Sequence, residues 1–211
     1  MNICLVNDAG IADADFNNLV SATTSFVPRV TKAWGLGNFP ITSSTKRADG
    51  AWNVILTDKN RKVGATGFHT IENGVPVAYC SPKAAARLYG HYTKPLVIKG
   101  KTVHGALYTE GLVTTICHEI AEMLCDQKLD KYAADATGKP WLVEVCDHVF
   151  GSYLLEVVNG NACVLPDVTM PAFYDINGKA PYSLNNAVSA PFTLTPKGYG
   201  YGKGPKGLVK L

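Results

Sequence analysis

The sequence predicts an α+β fold: a long N-terminal helix, a central helix that carries the chemistry, short strands between them, then a C-terminal β-hairpin and an irregular tail. Three observations predict it. Residues 112–126 place apolar side chains at helical spacing. Several short runs rich in β-branched and aromatic residues are bounded by turn residues, as strands are. Asn-Gly stands twice between such runs, at 73–74 and 159–160, and that dipeptide is a strong signal for a tight hairpin.

Taken in order, Ile3-Cys4-Leu5-Val6 reads as a short buried strand. Asp13 is an N-cap candidate for the helix that follows, where Phe16, Leu19, Val20, Thr23 and Val27 recur at helical spacing. Pro28 kinks or ends that helix, or the pattern resumes through Val30, Ala33 and Trp34 until Gly35 and Gly37 stop it. Strands are predicted at 39–44 and, on a better pattern, at 51–57, with a turn at 58–60. In the Asn73-Gly74 hairpin, Pro76 demotes the second arm to an edge strand or to its start. Residues 83–100 are ambiguous apart from a helical turn at 84–88. Beyond the central helix, strands are predicted at 141–146 and 153–158, with 162–165 returning from Asn159-Gly160. After Pro166 the chain is rich in Gly, Pro, Asn and Tyr, and Gly198-Tyr199-Gly200-Tyr201-Gly202-Lys203-Gly204 reads as a flexible or docking tail. One domain over 1–180 with an extension over 181–211 is the division this predicts.

Composition narrows the function. With 46% hydrophobic and 18% charged residues the chain is too apolar for disorder. The net charge of +3 is mild and partly in the tail (Lys197, Lys203, Lys206, Lys210), without the clustered basic face of a nucleic-acid binder. The N-terminus has no basic region before a signal-like apolar run, and no apolar stretch approaches the ~18 residues that span a bilayer. The prediction is a protein made in the cytoplasm of its host cell, with no membrane or nucleic-acid partner. The six cysteines are scattered without a C-x-x-C pair, so a disulfide framework is not expected. Cys117, Cys125 and Cys146 read as small buried hydrophobes, with a thiolate ligand as the minor alternative.

The central helix carries the case. Ile116, Ile120 and Leu124 are four apart, and so are His118, Glu122 and Asp126. At 100° per residue the two stripes lie about 200° apart, on opposite faces. One face can enter a core while the other presents an imidazole and two carboxylates, with Glu119 beside Glu122. This is the geometry of His-Glu-x-x-His helices, in which two ligands one turn apart reach one ion and the intervening Glu activates a water. Glu122 replaces the second His; carboxylate oxygen is an acceptable zinc ligand, though its charge weakens the Lewis acid. By itself, so short a pattern is more often a solvated polar face than a metal site. Against that, the preceding run is apolar, the stripe holds no Lys or Arg before Lys128, and Glu144, Asp147 and His148 follow on an apolar segment. Glu144 alternates with Val143 and Val145, as an inward-pointing strand residue does. Buried carboxylates need a partner, and a metal ion is one. His69 is a weaker candidate to line a cleft, His91 and His104 have no spaced partner, and Tyr153 is a candidate oxyanion donor.

The order strand, long helix, strands, edge hairpin, metal-site helix resembles the zincin core over roughly residues 1–130. The resemblance implies a zincin-like, twisted mixed sheet over the site helix, with an edge strand lining the substrate cleft. It implies His118 and Glu122 as zinc ligands, Glu119 as general base, and a third ligand from Glu144, Asp147 or Asp126. The whole chain also resembles a group of uncharacterised bacteriophage and prophage proteins, through His118 to Asp126, Glu144-Val145-Cys146-Asp147, Val164-Leu165-Pro166 and Phe173-Tyr174-Asp175. That group continues with Pro-Val-Glu where this chain has His148-Val149-Phe150. One acidic group is then missing, and His148 either substitutes as a ligand or the site is weakened.

Two functions stand near parity. One is a zinc-dependent metallohydrolase of phage origin acting on a peptide or protein, with the ion on His118 and Glu122, Glu144 or Asp147 completing the site, and Glu119 activating the water. The other is a virion structural or assembly protein on a degenerate zincin-like fold, contacting other virion proteins or itself, with any metal purely structural. A calcium-stabilised module is the third reading, since Glu122, Asp126, Glu144 and Asp147 are hard oxygen donors; His118 argues for zinc.

Overall fold

β1 (Ile3–Asn7) starts the chain, and α1 (Asp13–Ala33) returns it so that β2 (Ile41–Ser44) lies parallel beside β1. The structure, a computed structural model, describes residues 1–59, 64–89, 96–98, 101–103, 109–204 and 207–211; His91 and His104 lie outside them. β3 (Trp52–Leu56) joins the other side of β1, again parallel. β4 (Gly67–Glu72) and β5 (Val75–Cys80) form the Asn73-Gly74 hairpin. Both turn residues have positive φ, 51° and 77°, as a type I′ turn requires. The sheet order is β2-β1-β3-β5-β4, parallel except for β4 at the edge. The proline prediction resolves accordingly: β5 is interior, and Pro76 sits one residue ahead of Val77, the first partner of β3.

Alternation along the strands splits the sheet into two faces. Ile3, Leu5, Trp52, Val54, Leu56, Ala78 and Cys80 join the main core with Leu19 and Phe26 of α1. Cys4, Val6, Ile55, Val77 and Tyr79 form a smaller cluster. α1 starts one residue differently from the prediction: Ala12 is the N-cap and makes no side-chain cap bond. Asp13 and Asp15 instead sit in the first turn, where negative charge complements the helix dipole. Pro28 neither ends nor breaks α1. Phe26, Val27 and Val30 are all buried around it, and at roughly 1.5–3 kcal/mol for each large side chain this outweighs one lost backbone bond. Arg29, paired with Glu156, ties the same turn to the C-terminal half.

α2 (Pro82–Tyr89) and the small β6 (Leu96–Ile98) and β7 (Lys101–Val103) pair lead to α3 (Thr109–Cys125). α3 packs against α1, α2, β4 and β5, and also against β11. Its apolar stripe is fully buried, Ile116 and Ile120 at 0% exposure; on its polar stripe Glu122 (3%) and Asp126 are buried and His118 is partly exposed. β8 (Tyr132–Ala134) and β9 (Pro140–Leu142) follow as a hairpin. The strand predicted over 141–146 is thus cut short: Glu144 N–H turns back to the Leu142 carbonyl at 2.9 Å, and Glu144 lies in a buried turn, with Val143 and Val145 buried beside it. β10 (Tyr153–Val158) and β11 (Asn161–Pro166) form the second Asn-Gly hairpin. The Thr114 hydroxyl donates to the Val164 carbonyl at 2.6 Å, fastening α3 to β11.

A 3-10 turn at Pro171–Tyr174 precedes the tail. The segment whose composition suggests a flexible or docking tail forms β12 (Tyr201–Gly204), paired with β13 (Gly207–Lys210) and, through Gly202, with Trp141 of β9. Gly202 is needed there by close approach, since a Cβ would stand 2.7 Å from the Pro140 carbonyl oxygen. No described helix is long and apolar enough to cross a membrane.

Candidate metal centre

α3 turns His118, Glu119 and Glu122 toward β4 on one side and the 143–147 turn on the other. Between them opens a cleft of about 650 Å3, with edge residues 64–69 along one wall and Tyr199 and Tyr201 along another. No lysine or arginine lines it among the described residues.

At the cleft floor, His118 Nε2 stands 3.1 Å from Glu122 Oε1 and 3.1 Å from Asp147 Oδ1. Neither oxygen has a hydrogen bond of normal geometry, although both are buried. One ligand atom from each of His118, Glu122 and Cys146 lies within 4.8 Å of the others. Atoms held at ~2.0–2.2 Å (oxygen, nitrogen) and ~2.3 Å (sulfur) by one ion lie at most about 4.5 Å apart, so the three need close little or not at all to share one. The orphaned oxygens and this donor set fit zinc, and imidazole with thiol fits it better than calcium.

The charge balance points the same way. Glu119, Glu122, Glu144 and Asp147 crowd around two imidazoles, His69 and His118. Burial pushes the Glu122 carboxyl above the usual carboxylate range, with His118 opposing the effect and Asp147 adding to it. Burial, then the nearby Glu122, pushes Glu144 up as well. Burial opposes protonation of His118, but Glu122 and other neighbours raise it well above the usual imidazole range. A cluster that must take up protons to be tolerated is one that a divalent cation relieves.

His69, on β4, is the main residue that sequence reasoning underrated. Its side chain is 6% exposed. Nδ1 is 3.2 Å from Glu119 Oε2 and 3.5 Å from Glu122 Oε2, and Nε2 is 4.0 Å from Glu144 Oε2. One signal was available: Gly67 lies two residues before it on the same strand face, and a strand glycine often marks a close backbone approach. Cys146, read as a buried hydrophobe with ligation as the minor alternative, also belongs to the cluster.

His118, Glu119, Glu122, Glu144 and Asp147 are therefore brought together, and Asp126 is not. Its carboxylate accepts the backbone N–H groups of Asp130 (3.1 Å) and Lys131 (3.0 Å), closing the turn after α3. His148 does not substitute as a ligand. Its Nδ1 meets the Tyr174 hydroxyl at 2.9 Å, its ring stacks on Phe173, and burial lowers it to about 4, so it is a neutral part of an aromatic core. The cleft is lined not by Tyr153 but by Tyr199 and Tyr201. Burial, then the Asp147 charge, raises both phenols and keeps them protonated.

No protein-family model, no curated protein and no solved structure matches the chain.

Proposed function

We propose that this chain is a zinc-dependent hydrolase of peptide bonds, with the ion held by His118, Glu122 and Cys146. The observation that carries the reading is the buried pair His118 Nε2 and Glu122 Oε1, 3.1 Å apart, at the floor of a cleft that a substrate can enter. A zinc ion held there would polarise a carbonyl and lower the pKa of a bound water. Glu119 lines the cleft one residue from His118 and takes the proton from the attacking water. His69 Nδ1 holds Glu119 Oε2 and fixes the direction of the carboxylate. The protonated hydroxyls of Tyr199 and Tyr201 are donors for the oxyanion that develops at the carbonyl. Among the described residues β4 has one partner in the sheet, β5. An extended peptide can add to its other edge across residues 64–69, which line the cleft. The zincin likeness is supported by the single antiparallel edge strand lying against α3.

The test combines metal content by plasma mass spectrometry with cleavage of a peptide library. His118→Ala is expected to lose one zinc equivalent and all cleavage. Glu119→Gln is expected to keep its metal and lose cleavage by ~10²–10⁴-fold. Wild-type protein that binds no zinc, or that binds zinc and cleaves no peptide, overturns the proposal.

A further inference from the structure

Glu122 points its two oxygens at two different histidines. Oε1 faces His118 Nε2 at 3.1 Å, and Oε2 faces His69 Nδ1 at 3.5 Å. Behind His69 the geometry repeats that of the first cluster. His69 Nε2 and Glu144 Oε2 face each other at 4.0 Å, and both atoms are buried with no hydrogen-bond partner. The His69 side chain is 6% exposed, and Glu144 as a residue 9%. One ligand atom from each of His69, Glu122 and Glu144 lies within 4.8 Å of the other two.

His69 Nδ1 is engaged with Glu119 Oε2 at 3.2 Å, which leaves Nε2 as the nitrogen turned toward Glu144. A buried imidazole nitrogen and a buried carboxyl oxygen that face each other without a hydrogen bond are relieved by a cation between them. Two atoms each ~2.0–2.2 Å from one ion lie at most about 4.4 Å apart, so a gap of 4.0 Å can be spanned. The Glu119–His69 contact is the carboxylate–histidine arrangement that orients an imidazole ligand from its far nitrogen.

We propose that His69, Glu122 and Glu144 form a second divalent-cation subsite, joined to the His118 subsite through the carboxylate of Glu122. It rests on the metal reading above and extends it from one ion to two. The donor sets differ: His118, Glu122 and Cys146 include a thiol, whereas His69, Glu122 and Glu144 offer two carboxylates and an imidazole. The thiol subsite selects zinc, and the oxygen-rich one accepts zinc or manganese. Two ions in one cleft can stabilise both the attacking and the leaving atom of a hydrolysis.

The test is metal counting on the full chain, stripped by chelation, reloaded with excess zinc, and desalted. Wild type is expected to hold two ions, and His69→Ala and His118→Ala one each. Glu144→Gln, which keeps the side-chain volume, is expected to hold one. Thermal unfolding checks that each variant folds. In wild type loaded first with one equivalent of zinc and then with manganese, electron paramagnetic resonance is expected to show one bound manganese ion per chain, a readout that needs no variant. One ion in wild type, lost in His118→Ala and kept in His69→Ala, overturns this inference and leaves the one-metal reading standing. Two ions that persist in both His69→Ala and Glu144→Gln also overturn it. One ion lost in His69→Ala and kept in His118→Ala supports the His69 subsite and overturns the earlier reading. No ion in wild type overturns both.

Discussion

Gly67 of β4 lies directly against Glu119 of α3: a methyl group at position 67 would stand 2.7 Å from Glu119 Oε1 and 2.7 Å from Thr115 Cγ2. Strand and helix approach so closely there that only a residue without a side chain fits, and that approach brings His69, two residues on, into the cluster. Gly67→Ala must displace the Glu119 carboxylate or lift β4 from α3. The expected outcome is a loss of ~1–3 kcal/mol of stability together with at least a tenfold loss of peptide cleavage, with the ion at His118 retained. Denaturant unfolding, a cleavage assay and metal analysis on one preparation check it. Unchanged activity would show that Glu119 is not held by this contact.

Asp126 separates structural acid from functional acid. It is 2% exposed and accepts two backbone N–H groups, so Asp126→Ala removes both of these charge-assisted hydrogen bonds. A cost of ~1–3 kcal/mol is expected, with metal content the same as in wild type. A drop in bound metal at unchanged stability would return Asp126 to the ligand set.

Chelation reads the centre through folding. An ion that binds only the folded chain adds about 2.7 kcal/mol at a free concentration 100 times Kd. Removing it leaves the carboxylates of Glu122, Glu144 and Asp147 together without a counter-ion. A chelator is expected to lower the melting temperature, and zinc to restore it more fully than calcium, in differential scanning calorimetry. A melting temperature indifferent to chelator and zinc alike would argue against any resident cation.

Asp135 supplies a pH test remote from the ligands. The Thr137 and Trp141 side chains donate to its carboxylate, at 2.6 Å and 3.0 Å, and lower its pKa to about 2. Because the folded value lies below the unfolded one, the stabilisation is fully present above about pH 3.9. It is lost as pH falls through about 2. Asp135→Asn is therefore expected to melt below wild type at pH 7, with the gap closing between about pH 3.9 and pH 2. A gap that stays constant down to pH 2 would refute the hydrogen-bonded carboxylate as its cause.

The central helix was legible because its signal is local. A period of 3.6 sets Ile116, Ile120 and Leu124 on one face and His118 and Glu122 on the other, whatever packs around them. Both Asn-Gly hairpins were legible for the same reason, since the turn chemistry is contained in two residues. Glu144 was singled out, but for an alternation that the structure lacks: the chain leaves the strand at Leu142, and burial comes from the surrounding turn. Pro28 shows the reverse case, a local breaker overridden by buried neighbours on both sides.

By itself, then, the sequence determined the two long helices, the two Asn-Gly hairpins and the pair of groups one helical turn apart, all of which depend on near neighbours in the chain. Only the tertiary structure decided that His69 joins Glu119, Glu122 and Glu144, that Cys146 lies beside His118, that Asp126 is spent on a turn, and that Tyr199 and Tyr201 return to line the cleft. These groups sit on different elements, and spacing along the chain carries no information about which faces meet. The packing of α3 between the sheet and the 143–147 turn supplies it.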